Sequence, residues 1–128
     1  MSDELPSGDE MAASLLFDTA GLINDDRDTH GDAVENQAHI AAGWTWYLRG
    51  QGVLDADESL SGTDVAFMMG LLKMSRHCVG TFDVDHLRDT AGYAGIGAAC
   101  AVANGEADLD EITRGSYEAA HLGGDDDE

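Results

Sequence analysis

Apolar residues recur at three- and four-residue spacing along most of the chain, and no two long runs alternate apolar with polar residues. That periodicity predicts helices and argues against a sheet. A first helix is expected from about Glu10 to Ile23, where Leu15, Leu16, Ala20 and Ile23 fall on one face. Asn24, Asp25 and Asp26 read as its end, and Asp25 to Asp32 (DDRDTHGD) reads as a polar connection in which Gly31 turns the chain and Asp32 caps the next helix. That second helix runs from about Ala33 to Arg49, with Ile40, Trp44, Tyr47 and Leu48 at helical spacing, and ends at Gly50.

Residues 51–61 form a loop, after which Ser61 or Thr63 caps a third helix from about Asp64 to Cys78. Its segment Val65 to Leu72 (VAFMMGLL) is apolar on every side. A helix without a polar face must be covered all round, and with about four helices in the chain a second copy is the expected cover. Residues 79–82 connect to a fourth helix from about Asp83 to Asn104, and the acidic tail holds at most a short helix around Leu109 and Ile112. The expected architecture is therefore all-α, a four-helix bundle-like domain over residues 10–104, flanked by a flexible acidic N-terminus (1–9) and an acidic C-terminal tail (105–128), and homodimeric. In an antiparallel hairpin Cys78 and Cys100 fall roughly 25 Å apart. No disulfide joins them on that layout, and both are expected as buried, reduced thiols.

Composition sharpens this picture. The 128 residues carry 26 acidic and 6 basic side chains, a formal net charge of −20. Leu, Ile, Val and Phe number 25, while Ala and Gly supply much of the remaining bulk. A core built on so few large residues is thin. The charge argues against direct nucleic-acid binding, which requires clustered Lys and Arg, and against anionic membranes. The acidic start does not resemble a secretion signal, and the Gly/Ala-rich stretch Thr90 to Asn104 has 15 residues, short of a bilayer span. A cytoplasmic location is expected. A single lysine, Lys73, in so acidic a chain resembles proteins of salt-loving archaea.

Because cations are scarce, their positions carry information. Lys73 and Arg76 lie three apart on the third helix, and Asp85 and Asp89 lie four apart on the fourth. A short connection makes the two pairs neighbours. The cluster reads either as an inter-helix salt-bridge network or as a site in which carboxylates hold Mg²⁺ and the cations meet phosphate oxygens. Tyr93, one turn after Asp89, offers a phenol for stacking on a base. A second group, His30, Asp32, Glu35, Asn36 and His39, surrounds the start of the second helix, where carboxylates also suit the helix dipole. Zinc-type Cys/His pairs, a phosphate-binding Gly-Lys-Ser loop, a dinucleotide glycine fingerprint and a G-x-S-x-G elbow are lacking.

The order Arg27-x-Thr29-His30-Gly31-Asp32-x-x-Glu35-Asn36, Trp44-x-x-Tyr47-Leu48, Asp64-Val65-Ala66-x-Met68-Met69-x-x-Leu72-Lys73-x-x-Arg76 and Asp85-x-x-x-Asp89-x-Ala91-Gly92-Tyr93-Ala94 resembles a small domain family of unknown function from tailed phages and prophages. It is distantly similar to phage nucleotide-modification-associated domains and to the all-α MazG-like nucleoside triphosphate pyrophosphohydrolases. That likeness implies an oligomeric, Mg²⁺-dependent nucleotide-binding protein of a virus or provirus, and the acidic charge makes a haloarchaeal host the expectation. Glu35, Asp85 and Asp89 would then be metal ligands, and His30, Asn36, Lys73, Arg76 and Tyr93 would contact substrate. The MazG-like pattern places Glu-x-x-Glu and Glu-x-x-Asp on successive helices, whereas this chain has Asp32-x-x-Glu35 and Asp85-x-x-x-Asp89. A non-catalytic helical interaction module and an acidic mimic of DNA are the alternatives. The charge alone makes one prediction. Raising KCl from about 0.1 M to about 2 M shortens the Debye length to a few ångströms and relieves carboxylate repulsion, so the melting temperature followed by circular dichroism is expected to rise.

Overall fold

The computed structural model describes residues 4–30 and 32–113, with residues 24–30 described as backbone only. Its elements are α1 (Gly8–His30), α2 (Ala33–Gly50), α3 (Gly62–Val79), α4 (Val84–Ala103) and a short α5 (Leu109–Thr113). The fold is all-α, and no strand occurs among the described residues.

Local chemistry explains the boundaries. Asp32 caps α2 by accepting the Glu35 N–H at 3.0 Å. At the other end the chain turns through Gly52, whose φ of 77° lies in the left-handed region that favours glycine. Arg49 then clamps the loop, donating from Nε and Nη2 to the Glu58 carbonyl at 3.0 and 2.8 Å. Thr45 holds it from below by accepting the Leu60 N–H at 2.9 Å. Ser61 and Asp64 open α3 with a reciprocal capping box: the Ser61 hydroxyl accepts the Asp64 N–H at 3.1 Å, and the Asp64 carboxylate accepts the Ser61 N–H at 2.9 Å. Asp83 caps α4 through the Asp85 N–H.

Two expectations change. α1 continues through Asn24, Asp25 and Asp26 to His30 instead of stopping at Ile23. Those residues are polar, but from Ile23 to His30 the sequence holds neither Gly nor Pro, and polarity by itself costs a helix little. Cys78 is exposed; only Cys100 is buried, and both are free thiols.

α3 and α4 form the main helix pair, with α2 against α3 and α1 against α4. Small residues make the contact: Gly62 and Ala66 of α3 face Cys100 and Gly97 of α4, and all four are buried. A Cβ placed on Gly97 would lie 3.4 Å from the Ala66 methyl. At Gly62 the approach is tighter, with Cys100 Sγ and Gln37 Cβ each 3.2 Å from such an atom. Thr19 and Ile23 of α1 settle over Gly92. Beyond α4, the Thr63 hydroxyl donates to Glu106 at 2.7 Å and ties the end of that helix back to the start of α3.

This close approach leaves the large side chains outside. The buried hydrophobic residues among those described are Ala41, Val65, Ala66 and Cys100. The helix expected to be covered all round is covered on one side only. Phe67, Leu71 and Met74 are more than half exposed on one stripe of α3, Met68 and Leu72 are partly exposed beside them, and Trp46 and Tyr47 stand out from α2. No described helix is long and apolar enough to cross a membrane.

If the α3–α4 contact depends on the missing side chain, Gly97→Val overpacks it and destabilises the fold by about 1–3 kcal/mol in chemical denaturation. Gly95→Ala, in open space on the same helix, is expected to be neutral or to stabilise by up to about 1 kcal/mol.

Candidate functional site

The last turns of α3 and the first turns of α4 bring the scarce cations against carboxylates. Lys73 Nζ stands 3.2 Å from Asp89 Oδ2. The lysine side chain is 18% exposed and the aspartate 44%, so the lysine stem packs between the helices while its partner remains wet. Asp85 turns the other way. It pairs with Arg88 one turn along α4, at 3.2 Å both as an ion pair and as a hydrogen bond, and Arg88 reaches across to Asp18 of α1 at 3.7 Å. Arg76 is exposed and forms no ion pair among the described residues. The proposed foursome is therefore divided: Lys73 and Asp89 meet, Asp85 belongs to an arginine, and Arg76 faces solvent. Tyr93 is half-buried one turn after Asp89.

The second group lies elsewhere. Glu35 and Asn36 are exposed in the first turn of α2, and neighbouring Gln37 packs where α3 begins and α4 ends, beside Gly62 and Cys100. Cys100 is eleven residues beyond Asp89, about 17 Å along a helix axis. Glu35 thus sits near the opposite end of α4 from Asp85 and Asp89. The side chain of His30 lies outside the described residues, and His39 is exposed.

Magnesium needs oxygen ligands gathered at about 2.0–2.1 Å. Among the described residues no three His, Cys, Asp or Glu side chains are grouped to hold an ion. Within one chain Glu35, Asp85 and Asp89 therefore do not fit the metal centre that the family resemblance implies. The physical reason is that Asp85 and Asp89 are each committed to a cation, and Glu35 is held at the far end of the bundle.

At that far end, the Cys100 thiol is pushed up from its ordinary range by burial first and then by the negative charges of Asp32 and Glu106. It stays protonated and is a poor nucleophile. Sequence reasoning missed Arg88 and Asp18. The Asp85-x-x-Arg88 spacing is itself a sign of a helical ion pair, but the link to Asp18 depends on how α1 crosses α4. It also missed an open apolar cavity of about 310 Å³ lined by Trp44, Tyr47, Leu48 and Met68.

The class that emerges is a small all-α domain with ion-paired helices and an apolar outer face. Residues 14–101 match the domain of unknown function DUF6378, and the chain belongs to that family. It is 38% identical over 84 residues to the Gene 55 protein of Mycobacterium phage L5; the match covers 65% of this chain and 49% of the relative, so the chain spans about half the relative's length. No solved structure matches. The resemblance to a phage domain family of unknown function holds at this level.

Asp89→Asn leaves a mostly buried ammonium without its counter-charge and is expected to lower stability by about 1–2 kcal/mol. Arg76→Ala is expected to stay within about 0.5 kcal/mol of the parent. A metal ligand would behave oppositely at Asp89, since neutralising it relieves like-charge repulsion and leaves the metal-free protein unchanged or more stable. Thermal melts of the two variants without added metal check both.

Proposed function

We propose that this phage-type domain is a helical interaction module that works as a homodimer, with its ion pairs serving to fasten helices. The observation that carries this reading is the outer face of α3. Phe67, Leu71 and Met74 run along it, flanked by Met68 and Leu72, with Tyr47 of α2 lining the same cavity as Met68, in a chain whose own core holds few large residues. Apolar surface of that extent is costly in water, and burial returns roughly 25 cal/mol per Å². A partner needed whenever the chain folds is most simply a second copy, and the charge-free stripe is the one kind of surface on which two chains of −20 can meet.

A second reading, nucleotide binding with Mg²⁺-dependent pyrophosphate release, follows from the MazG-like resemblance. Arg76 supports it. Met68, Leu72 and Arg76 follow one another at four-residue spacing, so the free guanidinium lies about 12 Å along α3 from the cavity that Trp44, Tyr47 and Met68 line. A base stacked in that cavity would send its phosphates toward Arg76. The catalytic step lacks the assembled carboxylates described above. The halophilic, viral setting is likewise part of this proposal and rests on the acidic charge and the phage relative.

Light scattering after size exclusion in molar KCl is expected to give twice the chain mass, and Phe67→Glu with Leu71→Glu is expected to give a monomer that melts earlier. A monomeric parent contradicts the module reading. In the same buffer with Mg²⁺ or Mn²⁺, a panel of ribo- and deoxynucleotides that yields neither pyrophosphate nor a melting shift ends the nucleotide reading.

A further inference from the structure

Where α3 passes into α4, two imidazoles face each other. His77, in the last turn of α3, and His86, in the first turn of α4, have ring centres 6.4 Å apart with planes at 73°. Phe82, from the connection, meets the His77 ring edge-on at 5.6 Å and 86°. His86 is anchored by its backbone, its N–H donating to the Asp83 carbonyl and its carbonyl accepting from the Thr90 hydroxyl at 2.7 Å. Its Nδ1 is buried and has no hydrogen-bond partner among the described residues. A buried ring nitrogen without a partner calls for a ligand, because leaving it unpaired costs about 1–3 kcal/mol.

From this geometry we infer that His77 and His86 form a two-imidazole site for a borderline divalent transition metal of the Zn²⁺, Ni²⁺ and Cu²⁺ type. An imidazole nitrogen about 2.0–2.1 Å from such an ion sets its ring centre about 3.2 Å away, so two ligands at a tetrahedral angle have centres about 5.2 Å apart. The observed 6.4 Å exceeds this by about 1.2 Å. Binding a shared ion requires the exposed His77 side chain to rotate toward His86 and close that gap. His77 is at a helix C-terminus, the negative end of the dipole, and Asp83 stands at the opposing start of α4, while Asp85 there is already paired with Arg88 and Arg76 adjoins His77. Nitrogen ligands select these metals over Mg²⁺ and Ca²⁺. Two protein ligands leave the remaining positions to water. His77 lies four residues after Lys73 and His86 three before Asp89, so the site adjoins that ion pair, one helical turn away, without using either of its side chains.

The test is calorimetric titration of the untagged full-length chain in molar KCl with NiCl₂, ZnCl₂ and, as a control, MgCl₂. One Ni²⁺ per chain is expected, with Mg²⁺ giving no saturable binding. His77→Ala and His86→Gln are each expected to weaken Ni²⁺ at least tenfold, while His39→Gln and Cys78→Ser stay within twofold. Cu²⁺ added at one equivalent is expected to show two-nitrogen coupling in its electron paramagnetic resonance spectrum. The inference is overturned if His77→Ala, at an exposed position and with an unchanged circular dichroism spectrum, binds Ni²⁺ like the parent. Loss of binding in Cys78→Ser alone overturns it equally.

Discussion

The contact between α3 and α4 is made by residues with almost no side chain. Ala66 lies against Gly97, Gly62 against Cys100, and Val65 is the one branched residue fully enclosed nearby. Helix backbones can approach closely only where such residues face each other, and dispersion then acts over many short contacts. The same choice has a cost. Volume that Leu and Phe would fill in a wider bundle is not available inside, so Phe67, Leu71, Trp46 and their neighbours lie outside. The apolar outer face is a consequence of how the inner one packs.

Against that thin interior, cations act as fasteners. Lys73 joins α3 to α4 through Asp89, Arg88 joins α4 to α1 through Asp18, and Arg49 holds the loop between α2 and α3 through a carbonyl. With 26 carboxylates repelling one another, each scarce positive charge is most effective where it crosses between elements. Lys73, the cation that stood out most in the sequence, is placed where two helices meet. Arg76 is exposed and crosses to no other element among the described residues.

Much of the fold was legible in the sequence because caps are local. Asp32 and Ser61 each satisfy a backbone N–H group within three residues, so two helix starts followed from residue type and spacing, while the cap at Asp83 was read only as the start of the fourth helix. The meeting of Lys73 with Asp89 was also legible, since a short connection forces the two helix ends together. The hidden features depend on orientation. Asp85 and Asp89 share a face by spacing, yet Arg88 captures Asp85, because an i,i+3 partner on the same helix is nearer than a cation on the next one. Glu35 was grouped with them through the MazG-like resemblance, and no local rule indicates that the start of α2 lies at the far end of α4. Polarity misled at Asn24 to His30, where composition suggested a break that no glycine or proline enforces.

Central to the homodimer proposal is a single-chain core that is incomplete until a second chain finishes it. Unfolding linked to dissociation has a midpoint that rises with protein concentration, whereas unfolding of a self-sufficient monomer does not. Melting curves in molar KCl across a hundredfold range of chain concentration decide between them. A melting temperature that climbs steadily with concentration is the predicted result; one that stays flat, with reversible transitions throughout, contradicts the claim.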